Sequence, residues 1–105
     1  MQMNASNGMC QKSLKETIEE MELDFSGMKL TIAEWVKECK AYRAEYSKYR
    51  HMSRMNPTDE ALERVSRRAY NRFNQTKNTI INFIRHQLSF FGLNGNAIRN
   101  FNIAF

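Results

Sequence analysis

Apolar side chains recur at intervals of three and four residues along two long segments of the chain. The first segment contains Trp35, Cys39, Tyr42, Tyr46 and Tyr49. The second contains Leu62, Val65, Ala69, Phe73, Thr76, Ile80, Phe83 and Gln87. Side chains at this spacing form one stripe along an α-helix. Because only a short turn around Asn56 and Pro57 separates the segments, they predict an antiparallel helical hairpin.

Residues of the two stripes are also the expected core. We expect six of them to be buried: Trp35, Tyr42, Leu62, Val65, Phe73 and Ile80. Two cysteines are present, and Cys39 lies on the first stripe, which favours packing over reactivity for its thiol.

The limits of the two long helices follow from their end signals. Thr31 and Glu34 have the spacing of a capping box, so the first long helix is expected to begin there and to run to about Met55. Asn56 is the expected cap of the next helix, with Pro57 at its first position, where a missing amide hydrogen costs nothing.

The second long helix presents a problem of length. A helix over residues 57–91 would be roughly 50 Å long, although a compact chain of this size has a radius of gyration of about 13 Å. The helix must therefore project and pair with a second chain, or break. Residues 74–78 contain poor helix formers, which favour a kink there in a monomer. Gly92 is the expected left-handed cap at its end.

The N-terminal part predicts a flexible leader over residues 1–12 and a short acidic helix over residues 13–24. Ser13 and Glu16 form a second capping-box pattern at the start of this helix. Its carboxylates are expected to face solvent, and Ser26 with Gly27 is expected to end it. The fold class expected is therefore all-α, with a short acidic helix packed on a long antiparallel helical hairpin and an apolar C-terminal tail.

The C-terminal tail places Phe101, Ile103 and Phe105 in strict alternation. An apolar tail of this kind docks on its own domain or binds a partner, and docking on its own domain is favoured because a small domain needs every apolar contact. Residues 13–105 are thus expected to form a single helical domain.

Composition is that of a soluble globular protein. The 105 residues are 42% hydrophobic and 26% charged, a normal balance for one domain. The sequence contains no apolar run near the ~20 residues that a membrane helix needs. It also shows no secretory signal, so a cytoplasmic protein with reduced Cys10 and Cys39 is expected.

The net charge of +5 is unevenly distributed, since residues 1–28 carry −3 while residues 29–57 and 58–105 each carry +4. Basic residues crowd both sides of the predicted turn: Arg43, Lys48, Arg50, Arg54, Arg64, Arg67, Arg68 and Arg72. In an antiparallel pair, position 50 lies opposite about 62 and position 43 opposite about 69, so both sets occupy the same end of the hairpin. Arginines bind phosphates through two parallel hydrogen bonds, and the interleaved tyrosines can stack on bases.

Other interpretations of these residues remain open. The basic cluster is also compatible with a solvated face, in which Glu60 pairs with Arg64 and Glu63 with Arg67. His51 and His86 lie far apart and lack partners at metal-ligand spacing. No catalytic residue, metal site, cofactor or small-molecule substrate is therefore predicted.

The function expected is that of a small, non-enzymatic, basic helical binding protein that engages nucleic acid or another acidic partner. The alternative is a small adaptor or inhibitor, of a kind suited to a phage or mobile element, that modulates a host protein or a nucleic-acid-processing enzyme. It would use exposed aromatic residues and a tail comprising Ile98, Phe101, Ile103 and Phe105. A helical subunit of a larger assembly is a third possibility. The long last helix also predicts self-association, with a dimer as the expected state.

Overall fold

The computed structural model describes residues 13–93 together with Ile103 and Phe105. The elements in chain order are α1 (Leu14–Glu19), β1 (Glu22–Phe25), β2 (Met28–Thr31), α2 (Ile32–Met55) and α3 (Glu60–Phe90). Helices α2 and α3 pack along each other as the expected antiparallel hairpin. The molecule is elongated, with extents of 68 × 26 × 22 Å. The predicted leader, residues 1–12, lies outside the described residues.

Helix α1 begins as predicted but ends earlier. The Ser13 hydroxyl accepts a hydrogen bond from the Glu16 amide at 3.1 Å, and the Glu16 carboxylate accepts one from the Ser13 amide at 3.3 Å, so the capping box is formed. The helix stops at Glu19, and the expected helix over residues 13–24 is therefore wrong in its second half.

Residues 22–31 form a two-stranded antiparallel hairpin in place of the end of that helix. Ser26 and Gly27 have φ angles of 58° and 80°, and two central residues with positive φ are the mark of a type I′ turn. These two residues were expected to terminate a helix, whereas they join two strands. In β1, Leu23 and Phe25 are half-buried and alternate with exposed acidic residues, a period of two that fits a strand.

Helix α2 has the predicted limits. The Thr31 amide donates to the Glu34 carboxylate at 2.9 Å, and the Glu34 amide donates to the Thr31 hydroxyl at 3.2 Å. The bond from the Thr31 backbone amide, followed by the one from its hydroxyl, lowers the pKa of Glu34. The helix ends at Met55.

Helix α3 is capped by Asp59, and the expected cap at Asn56 with Pro57 as the first helical residue is wrong. The Asp59 carboxylate accepts hydrogen bonds from the amides of Ala61 and Leu62 at 3.0 and 3.2 Å. Two backbone donors of the first turn are thus satisfied by one side chain, and Pro57 remains in the turn that precedes the helix.

The sequence leaves open whether this helix is continuous or broken over residues 74–78, and the structure shows one continuous helix from Glu60 to Phe90. Within this stretch, the Thr76 side chain is buried and its hydroxyl donates to the Arg72 carbonyl oxygen at 2.8 Å. Packing against α2 therefore outweighs the weak helix preference of this stretch.

Helix α3 ends as predicted. Gly92 has a φ angle of +75°, and its amide donates to the Ser89 carbonyl oxygen at 3.1 Å. The Leu93 amide donates to the Leu88 carbonyl oxygen at 3.0 Å, and the two bonds together form a Schellman motif.

The buried core lies at the end of the hairpin far from the α2–α3 turn. It consists of Ile18, Ile32, Trp35, Cys39, Ile80, Ile84 and Leu88. The β-hairpin covers it, since the Trp35 indole nitrogen donates to the Leu23 carbonyl oxygen at 2.8 Å and the Phe25 ring packs edge-on at 5.6 Å. Ile103 and Phe105 also pack against this core, as expected for a tail that docks on its own domain.

Of the six residues expected in the core, only Trp35 and Ile80 are fully buried. The other four are half-buried: Tyr42, Leu62, Val65 and Phe73. Leu62 and Val65 lie in the turn end of the hairpin, which we call the arm (residues 43–72) and which consists of two helices without the third layer that encloses the core. Tyr42 and Phe73 lie at the border between this arm and the core. Ala69 is the one fully buried side chain among the described residues of this arm.

Candidate functional site: the basic arm of the helical hairpin

The arm contains eight basic and four acidic residues, so it holds most of the net positive charge of the chain. All eight basic side chains are exposed to solvent. They are the residues expected from sequence: Arg43, Lys48, Arg50, Arg54, Arg64, Arg67, Arg68 and Arg72.

The register of the two helices brings these residues to the same end of the hairpin. Arg72 contacts Tyr42, and the rings of Tyr46 and Tyr70 meet edge-on with their centres 5.1 Å apart. This register lies within about one helical turn of the one inferred from the position of the turn.

The arm nevertheless has two different sides. On one side, the Arg72 guanidinium lies 4.1 Å from the centre of the Tyr42 ring and donates to its hydroxyl at 3.2 Å. Further toward the turn, Tyr49 and Arg68 line a depression whose floor includes Val65.

The opposite side carries arginines of α2. The Arg43 guanidinium donates a hydrogen bond to the Phe105 carbonyl oxygen, so it is engaged with the tail. The Arg50 guanidinium lies 5.9 Å from the Tyr46 ring, which in turn packs on Tyr70. The eight basic residues therefore do not form one continuous patch.

Three shallow depressions follow one another along the first side. The first depression is lined by Phe25, Ser26, Met28, Trp35, Tyr42, Arg72, Gln75 and Thr76. The second is lined by Glu45, Tyr49, Val65, Arg68, Ala69 and Arg72. The third is lined by Arg64, Arg67, Arg68 and Asn71. Adjacent depressions thus share Arg72 or Arg68. We call this series of three depressions the basic groove. Its three parts have volumes of about 170, 200 and 230 Å³, each smaller than a typical pocket for an enclosed small ligand.

Two features of the groove were not foreseen from the sequence. The β-hairpin turn at Ser26 forms one end of it, whereas the sequence pattern predicts that a helix ends at this point. The Glu45 carboxylate also lines the groove. Glu45 lies one helical turn before Tyr49, and this spacing is the signal in the sequence that could have placed Glu45 beside Tyr49.

Ion pairing within the arm is limited. Glu63 and Arg67 form the expected pair at 2.8 Å, with both side chains more than half exposed. Among the described residues, Glu60 and Arg64 form no salt bridge, so the second expected pair is absent. Exposed pairs of this kind contribute little to stability, and they leave most of the arm's positive charge uncompensated.

The predicted tail residues are only partly described. Ile103 and Phe105 are half-buried against the core, whereas Ile98 and Phe101 lie outside the described residues.

The other reactive side chains are dispersed. His51 is exposed on the arm, and His86 packs edge-on against Phe90 with ring centres 4.9 Å apart. Burial raises the pKa of the Cys39 thiol to about 11, which keeps it protonated at neutral pH. The described residues contain no cluster of three or more His, Cys, Asp or Glu side chains able to hold a metal ion. None of the described helices is both long and apolar enough to cross a bilayer.

No family model matches the chain, and neither the curated proteins nor the solved structures include a match to it.

Proposed function

We propose that the chain is a non-enzymatic nucleic-acid-binding protein of the cytoplasm and that its basic arm makes the contact. The observation that carries this proposal is the exposure of all eight basic side chains on one end of the hairpin, with only one salt bridge among the described residues of that end. Each guanidinium offers two parallel donors that match a phosphate group, and a nucleic acid presents such groups along its whole length.

The elongated shape supports the same proposal. The arm lies beyond the core, so its arginines and tyrosines can contact a long polyanion without any change in the packing of Trp35 or Ile80. Phosphate contacts of this kind give affinity without much sequence preference.

Recovery of bound nucleic acid from cells tests the proposal. The affinity-tagged protein is expected to co-purify with nucleic acid, and nuclease treatment of the lysate is expected to remove it. Replacing Arg64, Arg67 and Arg68 with glutamine should abolish this recovery. In the matched control, glutamine replaces Lys29, Lys37 and Lys40, which are exposed near the core. This variant should still recover nucleic acid. Wild-type protein free of nucleic acid even at low salt would contradict the proposal.

A second candidate, a protein adaptor or inhibitor, is favoured by exposed apolar side chains on the arm. Met55 is 70% exposed, Tyr70 44% and Met52 38%. Flexible methionines suit contact with another protein surface. A partner that survives nuclease treatment, and that is no longer bound when Met52 and Met55 are replaced by glutamine, would favour this candidate. The tail segment around Ile98 and Phe101 would then be tested by its deletion.

A further inference from the structure

We propose that the occupant of the basic groove is a single-stranded polynucleotide, which follows α3 from the β-hairpin turn toward the α2–α3 turn. This inference rests on the proposed function and adds which side of the arm is used and which form of nucleic acid is bound. The opposite side, with Arg43 and Arg50, is excluded from the contact.

Neighbouring depressions of the groove share a basic side chain, so an extended strand could pass from one depression to the next. Arg72 lines both the first and the second depression, and Arg68 lines both the second and the third. Neither Arg43 nor Arg50 lines any of the three depressions, and Arg43 is already bonded to the Phe105 carbonyl oxygen.

The spacing of the arginines matches a polymer of phosphates. Arg64, Arg68 and Arg72 are four residues apart on α3, which places them about 6 Å from one another along the helix axis. Successive phosphates of an extended strand recur at a similar interval, so one strand can meet all three guanidinium groups in turn. Clusters of positive charge that follow a backbone in this way are typical of single-strand binding.

The groove also offers surfaces on which bases can stack. Tyr49 is half-buried and lines the middle depression together with Arg68 and Arg72. The Arg72 guanidinium is held in place by the Tyr42 ring and hydroxyl, so little conformational freedom is given up when a base stacks on it. Stacking on tyrosine or arginine needs an exposed base face, which a single strand presents and a duplex hides.

Glu45 opposes the polyanion from within the groove and provides an independent test. Its carboxylate lines the same depression as Tyr49, Arg68 and Arg72. Removal of this charge should strengthen the binding of a strand that lies in the groove, whereas a strand on the other side would be little affected.

Fluorescence anisotropy with a labelled oligothymidine of about 20 nucleotides and with a duplex of equal length tests the inference. Wild-type protein should bind the single strand more tightly. Replacement of Arg68 and Arg72 with glutamine should weaken this binding by at least about tenfold. Replacement of Arg50 and Arg54, neither of which lines the groove, should weaken it by less than about threefold. Since Arg72 also contacts Tyr42, replacement of Arg64 and Arg68 provides a second groove variant that leaves this contact intact.

The aromatic and acidic residues have matched controls. Tyr49→Ala should weaken single-strand binding severalfold, whereas Tyr70→Ala, on the opposite side, should not. Glu45→Gln should strengthen binding, whereas Glu19→Gln, which removes the same charge from α1, should have no comparable effect. Circular dichroism establishes that each variant remains helical.

The outcomes separate the two proposals. Equal reductions in affinity from the groove pair and from the Arg50 and Arg54 pair, or tighter binding of the duplex, would overturn the groove inference and leave nucleic-acid binding intact. A wild-type protein that binds neither probe at low salt would overturn both.

Discussion

The Arg72 guanidinium lies 4.1 Å from the centre of the Tyr42 ring and donates a hydrogen bond to the Tyr42 hydroxyl at 3.2 Å. This contact joins α3 to α2 at the point where the buried core gives way to the arm. It holds the side chain of Arg72, a basic residue of the proposed site, against helix α2. Both the packing of α3 on α2 and the position of a positive charge of the site therefore depend on Arg72 and Tyr42.

Removal of the Arg72–Tyr42 interaction should cost stability. Replacement of Arg72 with alanine is expected to lower the free energy of unfolding by about 0.5–1 kcal/mol, the usual range for an exposed cation–π contact. Arg64→Ala is the control, because Arg64 is exposed on the same helix and makes no such contact. Urea denaturation of both variants measures the difference, and equal midpoints would show that the Arg72–Tyr42 contact contributes nothing.

Core and arm should respond differently to truncation. Ile80 is fully buried, so Ile80→Ala should cost about 2–5 kcal/mol. Leu62 is half-buried on the arm, and Leu62→Ala should cost clearly less because part of the side chain is already in water. Phe73, also half-buried, should likewise cost less than a fully enclosed aromatic residue. If chemical denaturation showed a larger loss of stability for Leu62→Ala than for Ile80→Ala, the core would have to lie at the turn end of the hairpin, which contradicts the structure.

The β-hairpin turn should be sensitive to backbone conformation. Gly27 has a φ angle of +80° and no atom near the position that a Cβ would take, so Gly27→Ala should destabilise the fold by about 1 kcal/mol through conformation alone. Ser26 has a φ angle of 58°, which asparagine adopts more readily, so Ser26→Asn should stabilise. Thermal unfolding in which both substitutions had no effect would contradict a type I′ turn at this position.

Cys39 should introduce a pH dependence at alkaline pH. Its thiol pKa is raised by burial from 9.0 to about 11 in the folded protein. The unfolded chain therefore loses this proton at a lower pH than the folded protein does. The stabilising contribution of Cys39 to the free energy of unfolding is thus complete below pH 9 and is lost as pH rises through about 11.

Comparison with Cys39→Ala isolates this effect from that of the other titratable groups. The difference in unfolding free energy between wild type and variant should shrink between pH 9 and pH 11. A difference that is constant with pH, or rapid reaction of Cys39 with a thiol reagent at neutral pH, would show that the thiol is not enclosed.

The sequence predicts the long elements well, since their signals are local. The Thr31 capping box, the stripes that pair α2 with α3 and the Gly92 stop are all found. The β-hairpin is not predicted because Leu23 and Phe25 follow α1 directly, and four residues are too few for a period of two to be distinguished from a helix. The Asp59 cap is not predicted because Asn56 and Pro57 provide an equally plausible start.

The candidate site was predictable in composition but not in shape. Clustering of arginines near the turn is visible in the sequence, and all of them are exposed in the structure. The separation of Arg43 and Arg50 from Arg68 and Arg72 depends on the rotation of each helix about its axis, which the stripes alone define only coarsely. The position of Ser26 at one end of the groove depends on tertiary packing.

Self-association remains a prediction, and the structure gives it a location. Tyr70, on the side of the arm opposite the basic groove, is 44% exposed, and Met55, at the end of α2, is 70% exposed. A second copy packed on these residues would bury them and leave the groove open. Light scattering over micromolar concentrations should therefore give the mass of a dimer, and Met55→Lys should shift it to the monomer. A monomer mass throughout would contradict the prediction.

The most direct test of nucleic-acid binding by the arm is the dependence of affinity on salt. For wild-type protein and a single-stranded oligonucleotide, the logarithm of the association constant should fall linearly with the logarithm of salt concentration. Replacement of Arg64, Arg67 and Arg68 with glutamine should reduce the slope by about 0.7 for each phosphate that the variant no longer neutralises. The same number of substitutions at Lys29, Lys37 and Lys40 should leave the slope unchanged. Parallel slopes for the wild type and the arginine variant would contradict the account.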